Sequence, residues 1–416
     1  MGFRSWYGRV SLANKITIAM ILGALIGFIV GPEIAVLEPI GTIFIRLLKM
    51  VALPVIFFSI TTGASGIVNL SRFKKIGSIF LMYWALSTLL SAATGLTWAA
   101  IIKPGAGIKL AEKPAEFGQV DILQAFVKWI PDNVVAAFAN YEMIQVVILA
   151  ILVGIAAAFM GETDAGRFMR NFFQSGAELS MKLTSMIMEF TPYGVFALMA
   201  AITGTTGTTV LGSLAKMVLT QYITYATIMF VIYPLILIFY LRLNPIQYYR
   251  NVYPAMVVAF TTCSSAATLP VAMEVSKKRL GVPEDMVNLI MPIGAAINQH
   301  AIAAELPIYV LWVSQMYGME LTPVTLVTTI VMGMILGSGG ASVPGGAVVL
   351  AATLLQTMGL PMTVVPWIAG IYRLIDMPNT MLNVVGDPLG GVIAANALGE
   401  LDRDIFYGKK RVDETK

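Results

Sequence analysis

Long apolar runs separated by short polar connections make up nearly the whole chain. ITIAMILGALIGFIVG (16–31) is representative: it is unbroken and carries no charge. A spanning helix takes roughly 20 mostly apolar residues. A transmembrane strand would show instead as roughly ten residues of alternating character. The runs here are long and do not alternate, so the pattern predicts an all-α integral membrane protein. By the length criterion there are about eight spanning helices, near 12–31, 39–65, 76–102, 143–160, 175–203, 214–241, 286–316 and 362–398. Two further segments, 245–277 and 322–357, are apolar at both ends and interrupted midway by small polar residues. Their centres read YPAMVVAFTTCSSAATLPVAMEV and TTIVMGMILGSGGASVPGGAVVLAATLL. Ser, Gly and Pro interruptions free backbone groups that must be satisfied by protein, water or ligand inside a bilayer. The expectation is a pair of re-entrant helical hairpins whose tips meet within the membrane. Two kinked spanning helices are the alternative. Broken segments in two places also point to a transporter binding site.

Composition agrees with this reading. The 416 residues are 57% hydrophobic and 12% charged, with mean hydropathy +0.80, against about 25% charged in soluble domains. So little charge does not cover a water-facing surface of this size. A single cysteine, Cys263, excludes an intrachain disulfide and a multi-cysteine metal site. The net charge of +4 is modest and suggests no nucleic-acid partner. The first apolar run reads as a spanning helix rather than a cleavable signal.

Basic residues say more by position. Arg4, Arg9 and Lys15 precede the first span, and Lys409, Lys410 and Arg411 follow the last. Arg72, Lys74 and Lys75, then Arg242 and Arg250, then Lys277, Lys278 and Arg279 fall on the same side. The positive-inside rule makes that side cytoplasmic, with both termini there. The opposite connections TGTTGTTVLG (203–212) and MGLPMTVV (358–365) have no basic residue. The connection 103–142 carries Lys103, Lys109, Lys113 and Lys128, partly offset by acids. Charge does not separate hairpins from full spans. The expected location is a prokaryotic inner membrane, crossed many times, with the lipid bilayer as a partner.

The last span contains RLIDMPNTMLNVVGD (373–387). Arg373, Asp376, Asn379, Thr380, Asn383 and Asp387 recur three or four apart, which puts most of them on one helix face. Intramembrane carboxylates are costly and usually face a pathway. Pro378 removes an N–H and Gly386 loosens the backbone nearby. The seventh span has a matching break, PIGAAINQHA, with Pro292, Gly294, Asn298 and His300, the only histidine. Freed carbonyls together with Asn298, Asn383 and Asp387 form an all-oxygen set, which hard cations prefer. One carboxylate among neutral oxygens suits Na⁺; Ca²⁺ would want more carboxylates.

At these residues the chain resembles the glutamate transporter homologue family, the dicarboxylate/amino acid:cation symporters, over about residues 10–400. TTCSSAATLP (261–270) is similar to the family's serine-rich first hairpin tip, and PIGAAINQH (292–300) to its unwound seventh helix. GGASVPGGA (339–347) is similar to the second tip, and DMPNTMLNVVGD (376–387) to the eighth-helix motif. The resemblance implies a homotrimer working as an elevator, with the second hairpin as gate. It implies scaffold helices in 1–74 and 143–213. It implies a transport domain from 75–142, with its extracellular loop, and 214–416. It also implies a substrate site of Ser264, Ser265, Val343, Pro344, Gly345, Asp376, Asn379, Thr380 and Asn383. Asp376 would meet an α-amino group, and Asn383, Ser265 and the tip near Val343 an α-carboxylate. Gly294, Asn298, Asn383 and Asp387 would hold one Na⁺. A second cation site would use the backbone near Ala296, with Gln299 standing where the family has methionine.

Departures from the family pattern carry the remaining information. The third family ion site has His300 in place of its carboxylate, beside Trp84, Ser87 and Thr88 of the third span. His300 is then a proton carrier, since histidine titrates near neutral pH, or a fixed hydrogen-bonded group in a site that no longer binds an ion. Acidic-substrate relatives place an arginine where this chain has Asn379, or at the first tip, where it has Cys263. Ile302 stands where the family often has threonine. A second substrate carboxylate would then lie unpaired and desolvated. Arg373 and Glu305 remain open: a structural pair, a proton site, or a route by which Arg373 reaches an acidic substrate. The expectation is a secondary symporter importing a small neutral L-amino acid, driven by Na⁺ and in part by H⁺, with no other cofactor. The alternative is an acidic amino acid or C4-dicarboxylate symporter using Arg373. A membrane enzyme with a Cys263–His300 pair lacks the third, orienting residue.

Overall fold

The computed structural model describes residues 12–65, 71–108, 127, 130–140, 142–206, 208–339, 346–361 and 364–410. The described residues form helices and connections, without strands. In chain order the long helices are α1 (Leu12–Val30), α2 (Glu38–Ser65), α3 (Ser71–Ile102), α4 (Met143–Phe159), α5 (Asp164–Met188) and α6 (Thr191–Thr206). Then come α7 (Thr208–Thr227), α8 (Pro245–Thr262), α9 (Ser265–Lys278), α10 (Glu284–Ile297) and α11 (His300–Tyr317). Last are α12 (Pro323–Gly339), α13 (Gly346–Thr357) and α14 (Val365–Ala397). By length and composition, Ile21–Phe44, Lys75–Ile102 and Leu211–Tyr240 are long and apolar enough to cross a membrane. α5, at 25 residues, is long enough but is diluted by Asp164, Arg167, Arg170, Glu178 and Lys182.

The expected segments meet the structure closely, with informative exceptions. The span expected at 175–203 is divided into α5 and α6. Pro192 sits at the second position of α6, where its missing N–H costs nothing; inside a continuous helix it would break a hydrogen bond. The span at 286–316 is also divided, into α10 and α11, at Asn298 and Gln299, and here the division falls within the break expected at PIGAAINQHA. α7 continues through π-helical turns at Ile228–Ile232 and Ile236–Tyr240, on either side of Pro234. The first interrupted segment is α8 and α9, which pack against each other around Cys263 and Ser264. Cys263 adopts the left-handed conformation, φ 50°. Ser264 caps α9, its hydroxyl accepting from Ala267 N–H at 3.2 Å. The second is α12 and α13; its tip, with Val343, Pro344 and Gly345, lies outside the described residues.

Packing falls into two groups. α1 lies on α6, where a Cβ at Gly27 would come within 2.2 Å of Ala200 O. α2 packs on α4 and α5, with Phe57, Phe58, Phe138, Phe172 and Phe173 meeting mostly edge to face. In the other group α3 crosses α11 so closely that a Cβ on Gly95 would lie 1.9 Å from Ala304 O. α11 also packs on α12, and α14 meets α8, α9 and α10. α11 is buried along almost its whole length, so the polar groups at its start are shielded from bulk solvent.

Candidate functional site

The site grows from the α10–α11 break. Asn298 (φ −86°, ψ 76°) and Gln299 (φ −108°, ψ 64°) leave the helical region, and backbone groups of the flanking residues find side-chain partners. Asn298 N–H keeps the last helical bond of α10, to Gly294 O at 2.8 Å. Trp84 Nε1 donates to Ile297 O at 3.0 Å. Ala301 N–H, an orphan of the first turn of α11, donates to Asn383 Oδ1 at 2.8 Å. The break is therefore stitched to α14 by Asn383 and to α3 by Trp84.

Asp387 lies beside this break. Asn298 Nδ2 donates to its Oδ1 at 2.8 Å. A Cβ at Gly294 would stand 2.6 Å from the same oxygen, so only glycine permits the approach. Asn298 Oδ1 is buried and has no hydrogen-bond partner among the described residues. A buried carboxamide oxygen left over beside a carboxylate suits a hard cation. Gly294, Asn298 and Asp387 thus come together, and their chemistry fits Na⁺. Asn383, the fourth expected ligand, turns its oxygen to Ala301 N–H instead.

From Asn383 a chain of side-chain hydrogen bonds runs in both directions. Asn383 Nδ2 donates to Gln299 Oε1 at 2.7 Å and to Asn379 Oδ1 at 3.0 Å. Gln299 Nε2 donates to Ala295 O at 3.2 Å. The Gln299 oxygen expected to ligate a second cation is thus already an acceptor for Asn383. Asn379 Nδ2 donates to Glu305 Oε2 at 2.7 Å. Tyr225 donates to the same oxygen at 2.8 Å, and Tyr309 to Oε1 at 3.4 Å. Thr380 Oγ1 donates to Asp376 Oδ1 at 3.3 Å. Asp376, Asn379, Thr380 and Asn383 are buried together on α14. Ser265 is buried at the start of α9. The backbone of Arg373 belongs to α14 and that of Ala296 to α10; their side chains lie outside the described residues.

His300 is fully buried and held on both sides. Tyr233 hydroxyl lies 2.6 Å from Nδ1, and Ser87 Oγ 2.6 Å from Nε2. Ser87 spends its own hydrogen on Tyr83 O, at 2.6 Å. The bonding pattern is therefore Tyr233 O–H to Nδ1, Nε2–H to Ser87, and Ser87 O–H to Tyr83 O. Every member is satisfied by one neutral imidazole. Neither ring nitrogen faces Cys263, so the Cys–His pair considered from the sequence is not formed. Thr88 Oγ1, on the next residue of α3, is buried without a partner among the described residues. Tyrosines complete the enclosure: Tyr83 donates to Gly386 O at 2.8 Å and Tyr248 to Val385 O at 2.7 Å. Tyr249 hydroxyl donates to Met229 O, in the π-helical part of the α7 segment. Sequence reasoning missed these tyrosines, because a tyrosine inside an apolar run reads as core. The signal available was their recurrence in spans that also carry buried acceptors.

The chain matches the model of the sodium:dicarboxylate symporter family over residues 12–397. It is 30% identical to a proton/glutamate-aspartate symporter of Bacillus subtilis (strain 168) over 394 residues, 92% of this chain and 94% of that protein. It is 29% identical to a proton/sodium-glutamate symport protein of Bacillus caldotenax, covering 95% and 96%. It is 28% identical to a C4-dicarboxylate transport protein of Bacillus subtilis (strain 168), covering 94% and 96%. These relatives are named as symporters and transport proteins, not enzymes. A polar, cation-fitting break inside an apolar helical protein and a family match across nearly its whole length agree: the chain belongs to the sodium:dicarboxylate symporter family.

Proposed function

We propose that the protein is a Na⁺-coupled symporter importing a small neutral L-amino acid. The observation that carries this is Asn379. Both ends of its carboxamide are engaged, with Asn383 and with Glu305, so it offers no cation to a second substrate carboxylate. Asp376 remains as the partner for an α-amino group, a charge pair that plain dicarboxylates cannot make. The N-terminus of α9 at Ser264 and Ser265 would face the α-carboxylate, favoured by the helix dipole, with the tip Val343, Pro344 and Gly345 closing over it. Gly294, Asn298, Asn383 and Asp387 would hold the coupling Na⁺. Asn383 would join that set by exchanging its Ala301 contact for the ion.

The two packing groups support a division of labour. α1, α2, α4, α5 and α6 would form the scaffold of a homotrimer. The remainder, with two re-entrant hairpins, would move across a prokaryotic inner membrane as an elevator, both termini cytoplasmic. A second reading, an acidic amino acid or C4-dicarboxylate carrier, is favoured by the names of the relatives and would need Arg373 in the pocket.

Thermal stability of the purified protein with amino acids and C4 dicarboxylates, each in Na⁺ and in choline buffer, separates the readings. The proposal expects stabilisation by a neutral amino acid, larger in Na⁺. Stabilisation by aspartate or succinate alone would replace it with the second reading.

A further inference from the structure

Two buried carboxamides close over the α10–α11 break. Ala301 N–H, which can only donate, fixes the oxygen of Asn383 at 2.8 Å. Ala295 O, which can only accept, fixes the nitrogen of Gln299 at 3.2 Å. Between them Asn383 Nδ2 donates to Gln299 Oε1 at 2.7 Å. The orientation of both amides therefore follows from the backbone groups at the two ends. The result is a clasp across the break. It starts on α10 beside Gly294, passes through Gln299 to α14, and returns to the first turn of α11.

The clasp holds Asn383 out of the cation set. Its oxygen serves Ala301 N–H, while Gly294, Asn298 and Asp387 gather without it. A carboxamide is planar, so its oxygen and nitrogen turn together. Turning the Asn383 oxygen toward Asp387 and Asn298 pulls its nitrogen off Gln299 Oε1. The second hydrogen of that nitrogen goes to Asn379 Oδ1 at 3.0 Å. Asn379 belongs to the proposed substrate set, nearly one helical turn from Asp376. A substrate that draws Asn379 toward itself weakens one of the two bonds that keep Asn383 turned away.

We propose that Gln299 is a positioning residue that couples the two ligands: it holds Asn383 off the cation until substrate loosens Asn379. This rests on the proposed assignment of Gly294, Asn298, Asn383 and Asp387 to Na⁺ and of Asn379 to substrate. Stabilising a resting arrangement lowers the apparent affinity of a ligand that needs the other one. The clasp therefore weakens Na⁺ binding, whereas a Gln299 that ligated a second cation would strengthen it. By linkage, substrate and Na⁺ tighten each other by the same factor.

The test uses the full chain, with NaCl replaced stepwise by choline chloride. It reads the Na⁺ concentration for half-maximal thermal stabilisation, alone and with saturating L-alanine or L-asparagine. In the unmodified protein the amino acid should lower that concentration by about threefold or more. Gln299→Met should lower it by about three- to tenfold without amino acid, the size of one net hydrogen bond. The further effect of amino acid should then shrink to within about twofold. Weaker Na⁺ binding in Gln299→Met would make Gln299 a ligand and overturn the proposal, as would an unchanged Na⁺ affinity. The unmodified protein decides even where the variant does not fold. Structures determined in Na⁺ and in choline should show the Asn383 oxygen turned toward Asp387 in the first and to Ala301 N–H in the second. A Gln299–Asn383 contact retained in Na⁺ overturns the clasp. No Na⁺-dependent stabilisation at all would fail the Na⁺ reading together with it. If L-aspartate alone among the amino acids acts on the unmodified protein, the neutral-substrate reading fails, and the Na⁺ titration without amino acid still decides Gln299.

Discussion

Asn298 divides its carboxamide between two tasks: its N–H goes to Asp387 and its oxygen is left for another partner. Asp387→Asn keeps the shape but removes the only charge of that set, so the Na⁺-dependent part of thermal stabilisation should fall to the choline baseline. Unaltered Na⁺ dependence would mean the ion sits elsewhere. His300 behaves differently, since its neighbours are satisfied by a single neutral ring. His300→Gln can accept from Tyr233 and donate to Ser87, so its transport should keep the wild-type pH profile between about pH 6 and 8, the range where a free histidine titrates. A flattened profile would make His300 the proton carrier after all. Gly386→Ala should do more damage. Its Cβ would stand 2.6 Å from His300 Nδ1 and 2.8 Å from the Tyr233 hydroxyl. Overpacking of this kind costs about 1–3 kcal/mol, readable as a lowered Tm. At this scale the sequence was legible where polar residues are rare: Asp387, Asn298 and His300 stand out in apolar runs. It was illegible where the partner is a tyrosine, and in which end of an amide points where. The orientation of Asn379 depends on Glu305, 74 residues away.

Helices, not residues, show how the apolar pattern becomes a fold. Length and hydropathy were enough to find most segments, because burying or lipid-exposing an apolar run fixes its existence more firmly than its ends. The divisions within segments depended on proline and on tertiary partners. The α5–α6 division at Pro192 was not expected, whereas the α10–α11 break was read from PIGAAINQHA; what the sequence did not show is that Trp84 and Asn383, far away in the chain, hold it. The crossing of α3 and α11 had no sequence signal beyond one glycine. Gly95→Ala should force these helices apart at Ala304 O and lower stability by about 1–3 kcal/mol. Gly212→Ala, with open space around its Cβ position, should change Tm little and serves as the control.

On the scale of the whole molecule, the chain end is tied to the group around α14. Asn251 on α8 donates to both Arg279 O and Phe406 O, at 2.8 and 2.9 Å. Asp402 N–H donates to Gly281 O at 3.0 Å. Asn251→Ala should leave those carbonyls without their donor, cost about 1–3 kcal/mol, and expose the tail after Glu400 to limited proteolysis. The Asp402 carboxylate accepts from Ile405 N–H and Lys410, which holds its pKa below the usual carboxylate value. A depressed folded-state pKa means that the cap's contribution is complete above the ordinary carboxylate value of about 4. It is lost as pH falls through the lower, folded value. Protease sensitivity of the tail should therefore rise on acidification, and Asp402→Asn should remove that pH dependence.

The chain of hydrogen bonds through His300 would have an energetic consequence for the cell. If His300 stands where the family resemblance implies a third cation, one charge fewer would cross the membrane in each cycle. A single charge moving through about 100 mV supplies about 2.3 kcal/mol, and about 1.4 kcal/mol corresponds to a tenfold concentration ratio. Giving up one such ion would lower the electrical part of the steepest substrate gradient the protein can sustain by roughly forty-fold. Such a carrier would suit a nutrient that is plentiful outside the cell, and it would run down the membrane potential more slowly for each molecule taken in.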